Sequence, residues 1–100
     1  MSSQYLGASK EVAILRLLTA SPTPMYGLEI IAESRGEVGR GTVYVTLSRM
    51  EEKGCVESQT EPQPQGATGL PRRMYRVTSV GRWALEVYER PSRIDGGASP

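Results

Sequence analysis

Thr42, Tyr44, Val45, Ser48 and Arg49 fall within one stretch, and their chemistries together suit the groove of a nucleic-acid duplex. Thr42 and the backbone N–H groups at a helix start can bind a phosphate, and Tyr44 can do so through its hydroxyl. Val45 can pack on a thymine methyl, and Ser48 can meet a base edge. Arg49 suits either a guanine or a phosphate, and the sequence leaves both open. Arg40 precedes this stretch, while Arg72 and Arg73 follow a loop rich in glycine and proline. Guanidinium groups there can follow a phosphate backbone, which positions a domain without selecting sequence.

Other chemistries lack their groups. With no histidine, a histidine general base, a catalytic triad and a histidine-containing metal site are impossible, and one cysteine cannot build a thiolate-rich zinc site. Gly36, Gly39 and Gly41 do not form a phosphate loop, because no lysine-serine ending follows them. The carboxylates show no paired positions that recommend general acid–base work. The sequence therefore predicts no enzyme, no cofactor and no metal. Cys55 is either a small core residue or a redox sensor; thiol reactivity separates the two.

A chain of 100 residues has room for one domain with a thin core. Apolar residues at 38% and charged residues at 23% exclude a disordered chain. No membrane span and no signal peptide are recognisable, which leads to the expectation of a cytoplasmic, nucleoid-associated protein without a membrane partner. The net charge of +1 is uneven. Residues 1–34 carry two basic and three acidic groups, whereas 35–49 set Arg35, Arg40 and Arg49 against Glu37, and 61–80 set Arg72, Arg73 and Arg76 against Glu61.

The elements that must position these groups follow from periodicity. Val12 to Leu18 predict a helix over Ser9 to Ala20, which Ser21-Pro22-Thr23-Pro24 breaks. A short second helix is expected from Met25 or Tyr26 to Ser34, with Leu28, Ile31 and Ala32 on one face, followed by a flexible connector around Glu37-Val38. In a third helix between Gly41 and Gly54, Val43, Leu47 and Met50 recur at i, i+4 and i+7 and form a buried stripe. The wheel then turns Val45, Ser48, Arg49 and Glu52 outward, with Thr42 and Tyr44 on the flanks. Val45 is anomalous on such a face, since it gains nothing in water; burial by a partner or the wing and contact with a groove are both open. Glu51 and Glu52 restrict groove contact to the first two turns.

Alternation predicts strands over Cys55 to Thr60 and Arg73 to Val77, joined by a long mobile loop. Thr78 is a candidate N-cap for a fourth helix that Pro91 stops. The order is an α+β winged helix-turn-helix: three helices, a two-stranded wing and a C-terminal helix. The domain is expected to span residues 1–90, including that helix over 78–90, with a disordered tail over 91–100.

At this point the chain resembles the PadR family of bacterial winged-helix transcriptional regulators, in its short branch. The similar pieces are Ala13 to Leu18, Tyr26-Gly27-Leu28-Glu29-Ile30, the run Gly41 to Gly54, and Arg72 to Arg82. The resemblance implies a sequence-specific double-stranded DNA binder, a homodimeric repressor of a near-palindromic operator, with Tyr44 in the DNA-facing part of the reading helix. Val45 stands where members usually have proline, and Cys55 where they have an aliphatic residue. The short C-terminus implies dimerisation through the fourth helix together with the first and the residues before it, Leu6 among them. Trp83, Leu85, Val87 and Tyr88 cannot all enter a core this small, so some should meet a second copy. In some short-branch relatives an aromatic residue of that helix lines a pocket for flat hydrophobic molecules. Trp83 is accordingly either interface core or the seat of a small aromatic effector. The competing class is a winged helix that serves as a protein-interaction module or in phage or plasmid replication or packaging.

Overall fold

The computed structural model describes residues 9–62, 66 and 72–90. Its elements run α1 (Ser9–Ala20), β1 (Met25–Tyr26), α2 (Gly27–Glu33), α3 (Arg40–Glu52), β2 (Val56–Thr60), β3 (Arg73–Val77) and α4 (Ser79–Glu89). This is the expected α+β winged helix-turn-helix. Leu6 and the tail over 91–100 lie outside the described residues, as does most of the loop over 61–71.

The core is drawn from every element. Ile14 and Leu15 of α1, Ile30 of α2, and Val43, Leu47 and Met50 of α3 are completely enclosed, and Val56, Tyr75, Val77, Ala84 and Leu85 close the cluster from the wing and α4. The buried stripe of α3 is thus the one its spacing requires. Lys53 caps its end, and Gly54 turns the chain at φ +81°, a left-handed conformation that most side chains resist. Thr78 fixes the start of α4 from two sides: its hydroxyl accepts from the Gly81 N–H at 3.0 Å and donates to the Gly54 carbonyl at 2.5 Å.

Three features differ from expectation. The sheet has three strands, ordered β1-β3-β2, because Met25 and Tyr26 pair antiparallel with Tyr75 and Met74 instead of opening a helix. Pro24 disfavours helical geometry just before them, and the edge of β3 takes up the extended dipeptide. In α2 the buried residues are Gly27 and Ile30, whereas Leu28 is 53% exposed and Ala32 is also exposed. A helix of seven residues barely completes two turns, so its docking is set by α3 and not by its own apolar count. The connector after α2 is tied down: Ser34 donates to the Ile31 carbonyl at 2.8 Å and accepts from the Val38 N–H at 3.1 Å, while Val38 is buried.

Glu11, though acidic, is only 4% exposed, and its carboxylate accepts from Lys53 Nζ at 2.9 Å. The pair ties the first turn of α1 to the end of α3 and so helps fix the angle at which α3 leaves the body.

Candidate nucleic-acid interface

With Val43, Thr46, Leu47 and Met50 turned inward, α3 exposes Arg40, Thr42, Tyr44, Val45, Ser48 and Arg49. Val45 is 54% exposed, so the described strands of the wing leave it open. Thr42 falls in the first turn, and its hydroxyl faces back to the Gly39 carbonyl at 3.4 Å; the N-cap position belongs to Gly39. The acids Glu51 and Glu52 stand at the far end. The first two turns are therefore basic and polar, with one aromatic and one branched apolar group among them.

Tyr44 is held in place by a glycine. A Cβ on Gly27 would come within 2.5 Å of the Tyr44 ring and hydroxyl, so only the bare backbone at the start of α2 lets the phenol lie there. Together with Tyr26, Leu28, Arg72, Arg73 and Tyr75, these two residues line a cleft of about 500 Å³. The structure thereby brings Tyr44 of the reading helix and Arg72 and Arg73 of the wing to one concavity. Val45, Ser48, Arg49 and Arg40 stand on the adjoining outer face of α3.

Each wing arginine is engaged within the protein. Arg72 lies over the Tyr26 ring, 4.2 Å from its centroid, and its Nε meets Glu61 at 3.2 Å. The Tyr26 hydroxyl donates to the same carboxylate at 2.8 Å. Arg73 donates to the Ser58 hydroxyl at 3.1 Å, which in turn donates to Glu51 at 2.7 Å, so the wing is laced to the last turn of α3. Arg76 pairs with Glu57 at 2.6 Å. Such exposed pairs each contribute about 0–1 kcal/mol, little enough for a polyanion to displace the acid. The hydrogen bond to Glu61, followed by desolvation, raises the Tyr26 phenol above its ordinary pKa.

Sequence reasoning named Tyr44, Arg72 and Arg73 as candidates, which the fold brings to one cleft, but did not name Tyr26, Gly27 and Glu61 beside them. The Tyr26–Glu61 contact spans 35 positions, which no periodicity reveals.

On α4, Leu85 belongs to the core of the protomer, whereas Trp83 is 48% exposed, Val80 and Tyr88 are also exposed, and Val87 is half-buried. Of the four residues considered for a second copy, Leu85 is thus enclosed by its own chain. Cys55 is fully buried between α3 and β2, and desolvation pushes its thiol pKa up. Among the described residues, no group of three or more histidine, cysteine or acidic side chains could hold a metal ion, and no helix is long and apolar enough to cross a membrane.

Solved structures share this geometry. The chain is similar to a PadR family transcription regulator from hypervirulent Clostridium difficile, at 26% identity and a TM-score of 0.69, over 90% of this chain and 93% of that one. It is similar also to a PadR-like transcription factor from Bacteroides fragilis, at 29% identity and a TM-score of 0.64, over 79% of this chain and 75% of that one. A Thermoplasma acidophilum protein, 24% identical with a TM-score of 0.66 over 86% of this chain and 80% of that one, shares the fold. No curated protein matches the chain by sequence. The model of the transcriptional regulator PadR-like family matches residues 14–87, and its members act as regulators without catalysis. On this match, which spans well over half of the chain, and on the winged helix-turn-helix that carries it, the protein belongs to the PadR-like family of transcriptional regulators.

Proposed function

We propose that this regulator binds double-stranded DNA sequence-specifically, as a homodimeric repressor of a near-palindromic operator. The observation that carries the reading is the outer face of α3, where Thr42, Tyr44, Val45, Ser48 and Arg49 are exposed on a helix anchored by fully buried residues. A rigid helix with polar and methyl groups on its first two turns fits a major groove, and Arg72 and Arg73 fit the flanking backbone. In this reading Ser48 and Val45 select bases, Arg40, Arg72 and Arg73 hold phosphates, and Arg49 takes a base or a phosphate.

The second copy is assigned to α4. Val80, Trp83 and Val87 recur at i, i+3 and i+7, and the exposed charges beside them, Arg82, Glu86 and Glu89, are of both signs. A face that mixes apolar anchors with charges of both signs suits a symmetric protein contact and offers a phosphate chain no basic patch. Leu6 precedes α1 and is assigned to the same interface. Tyr88 is assigned to the same contact, and the alternative role for Trp83 is the seat of a small aromatic effector.

Selection of bound duplexes from a random pool tests the reading. A two-fold-symmetric motif supports it, and no enrichment at low salt defeats it.

A further inference from the structure

Tyr26, Arg72 and Glu61 form a closed arrangement that the reading helix does not need for its own packing. The Arg72 guanidinium lies over the Tyr26 ring and reaches one carboxylate oxygen of Glu61, while the Tyr26 hydroxyl reaches the other. Two donors on different elements thus converge on a single anion. Both donors also line the cleft that contains Tyr44 and Arg73, beside the start of the helix assigned to the groove.

We propose that this cleft seats one backbone phosphate of the bound duplex on the Tyr26 hydroxyl and the Arg72 guanidinium, and that Glu61 fills the seat in the free protein as an internal stand-in for that phosphate. The inference rests on the DNA reading above, which already gives Arg72 a phosphate, and adds Tyr26 and Glu61 to it. A carboxylate and a phosphodiester present the same kind of acceptor pair to a guanidinium and a phenol, so one replaces the other without rebuilding the donors. The stack on Tyr26 fixes the plane of the guanidinium, which leaves it oriented for an incoming anion when Glu61 swings out. Glu61 can leave at modest cost because the Arg72 side of the pair is solvent-exposed at 64% and Glu61 itself only half-buried at 34%. The backbone N–H of Tyr26 is already taken by the Glu29 carboxylate at 2.9 Å, so the seat is made by side chains.

Exchange of this kind lowers affinity for every duplex, since a negative side chain must be displaced and then remains near the polyanion. Glu61 is in this account a brake on phosphate binding, not a support. The test titrates labelled duplexes, one selected from a random pool and one scrambled to the same length, followed by fluorescence anisotropy. Glu61→Gln should tighten both by about three- to tenfold and steepen the salt dependence by about one ion, as a newly available cation requires. Glu61→Ala should reproduce the gain, and both variants should keep the wild-type thermal midpoint within a few degrees. In an Arg72→Ala background the gain should vanish, because the two residues act through one seat. Unchanged or weaker binding by both folded Glu61 variants, or a gain that persists without Arg72, overturns the proposal while leaving the DNA reading intact. A wild-type chain that binds no duplex overturns the DNA reading and this inference with it.

Discussion

The outer faces of α3 and α4 are exposed to similar degrees yet differ in chemistry. Tyr44 and Trp83 are almost equally accessible, at 47% and 48%. Around Tyr44 stand Thr42, Ser48, Arg49, Arg72 and Arg73, with the acids of α3 confined to its far end; around Trp83 stand Val80, Val87 and charges of both signs. Exposure alone therefore identifies neither partner. The sign and polarity of the neighbours distinguish the two faces, and on that difference rests the proposal of a polyanion for the first and a second protein surface for the other.

The comparison breaks most completely if the shared base is removed. Leu47→Ala takes out a fully buried anchor of α3 and should cost about 3 kcal/mol, read by chemical denaturation, with both faces lost together in a domain this small. A loss below about 1 kcal/mol would mean that α3 is not held by the stripe that orients its outer face.

Trp83→Ala acts on the second face alone. It should weaken self-association by about 2 kcal/mol in sedimentation equilibrium while leaving the fold intact, since a large aromatic at an interface dominates such contacts. Unchanged association would separate Trp83 from the dimer contact.

The first face divides further. Arg73→Ala should weaken binding to selected and unrelated duplexes alike, by about tenfold at low salt, and flatten the salt dependence. Ser48→Ala or Val45→Ala should instead change preference among duplexes, by about 1 kcal/mol. Selective loss with Arg73→Ala would overturn that division. Gly27→Ala sharpens it: the exposed Tyr44 ring can swing aside, so the expected outcome is nearly unchanged stability with weakened DNA binding. Equal losses in both would make Gly27 a packing residue only.

The smallest effect belongs to neither face. Cys55 is completely buried and its pKa is raised, so labelling by a thiol reagent near neutral pH should be slow until the domain opens. Rapid labelling of the folded protein would restore the redox-sensor reading.

What was legible in the sequence has a physical pattern. The inner stripe of α3, the glycine that ends it, the Thr78 cap and the alternation of β3 are local, and each is written in residues a few positions apart. The extended pair Met25–Tyr26 was not legible, because two residues carry no period and their partners lie on β3. The face of α2 was misread for a related reason: with Leu28, Ile30, Ile31 and Ala32 crowded into five positions, only contact with α3 decides which is buried. The outer residues of α3 could be read as a surface by subtraction from the stripe, whereas the cluster of Tyr26, Arg72 and Glu61 requires the fold to bring three separate segments together. The assignment of Leu85 likewise depended on how α4 rolls onto α1 and the sheet, which its own spacing does not settle.

The central claim is that two copies of the exposed α3 face enter the same duplex. Hydroxyl-radical footprinting of the wild-type protein on a selected duplex tests it most directly. The account predicts two protected patches related by two-fold symmetry and separated by about one helical turn, with flanking backbone protection from the wings. A single asymmetric patch, or uniform protection along the duplex, would contradict it.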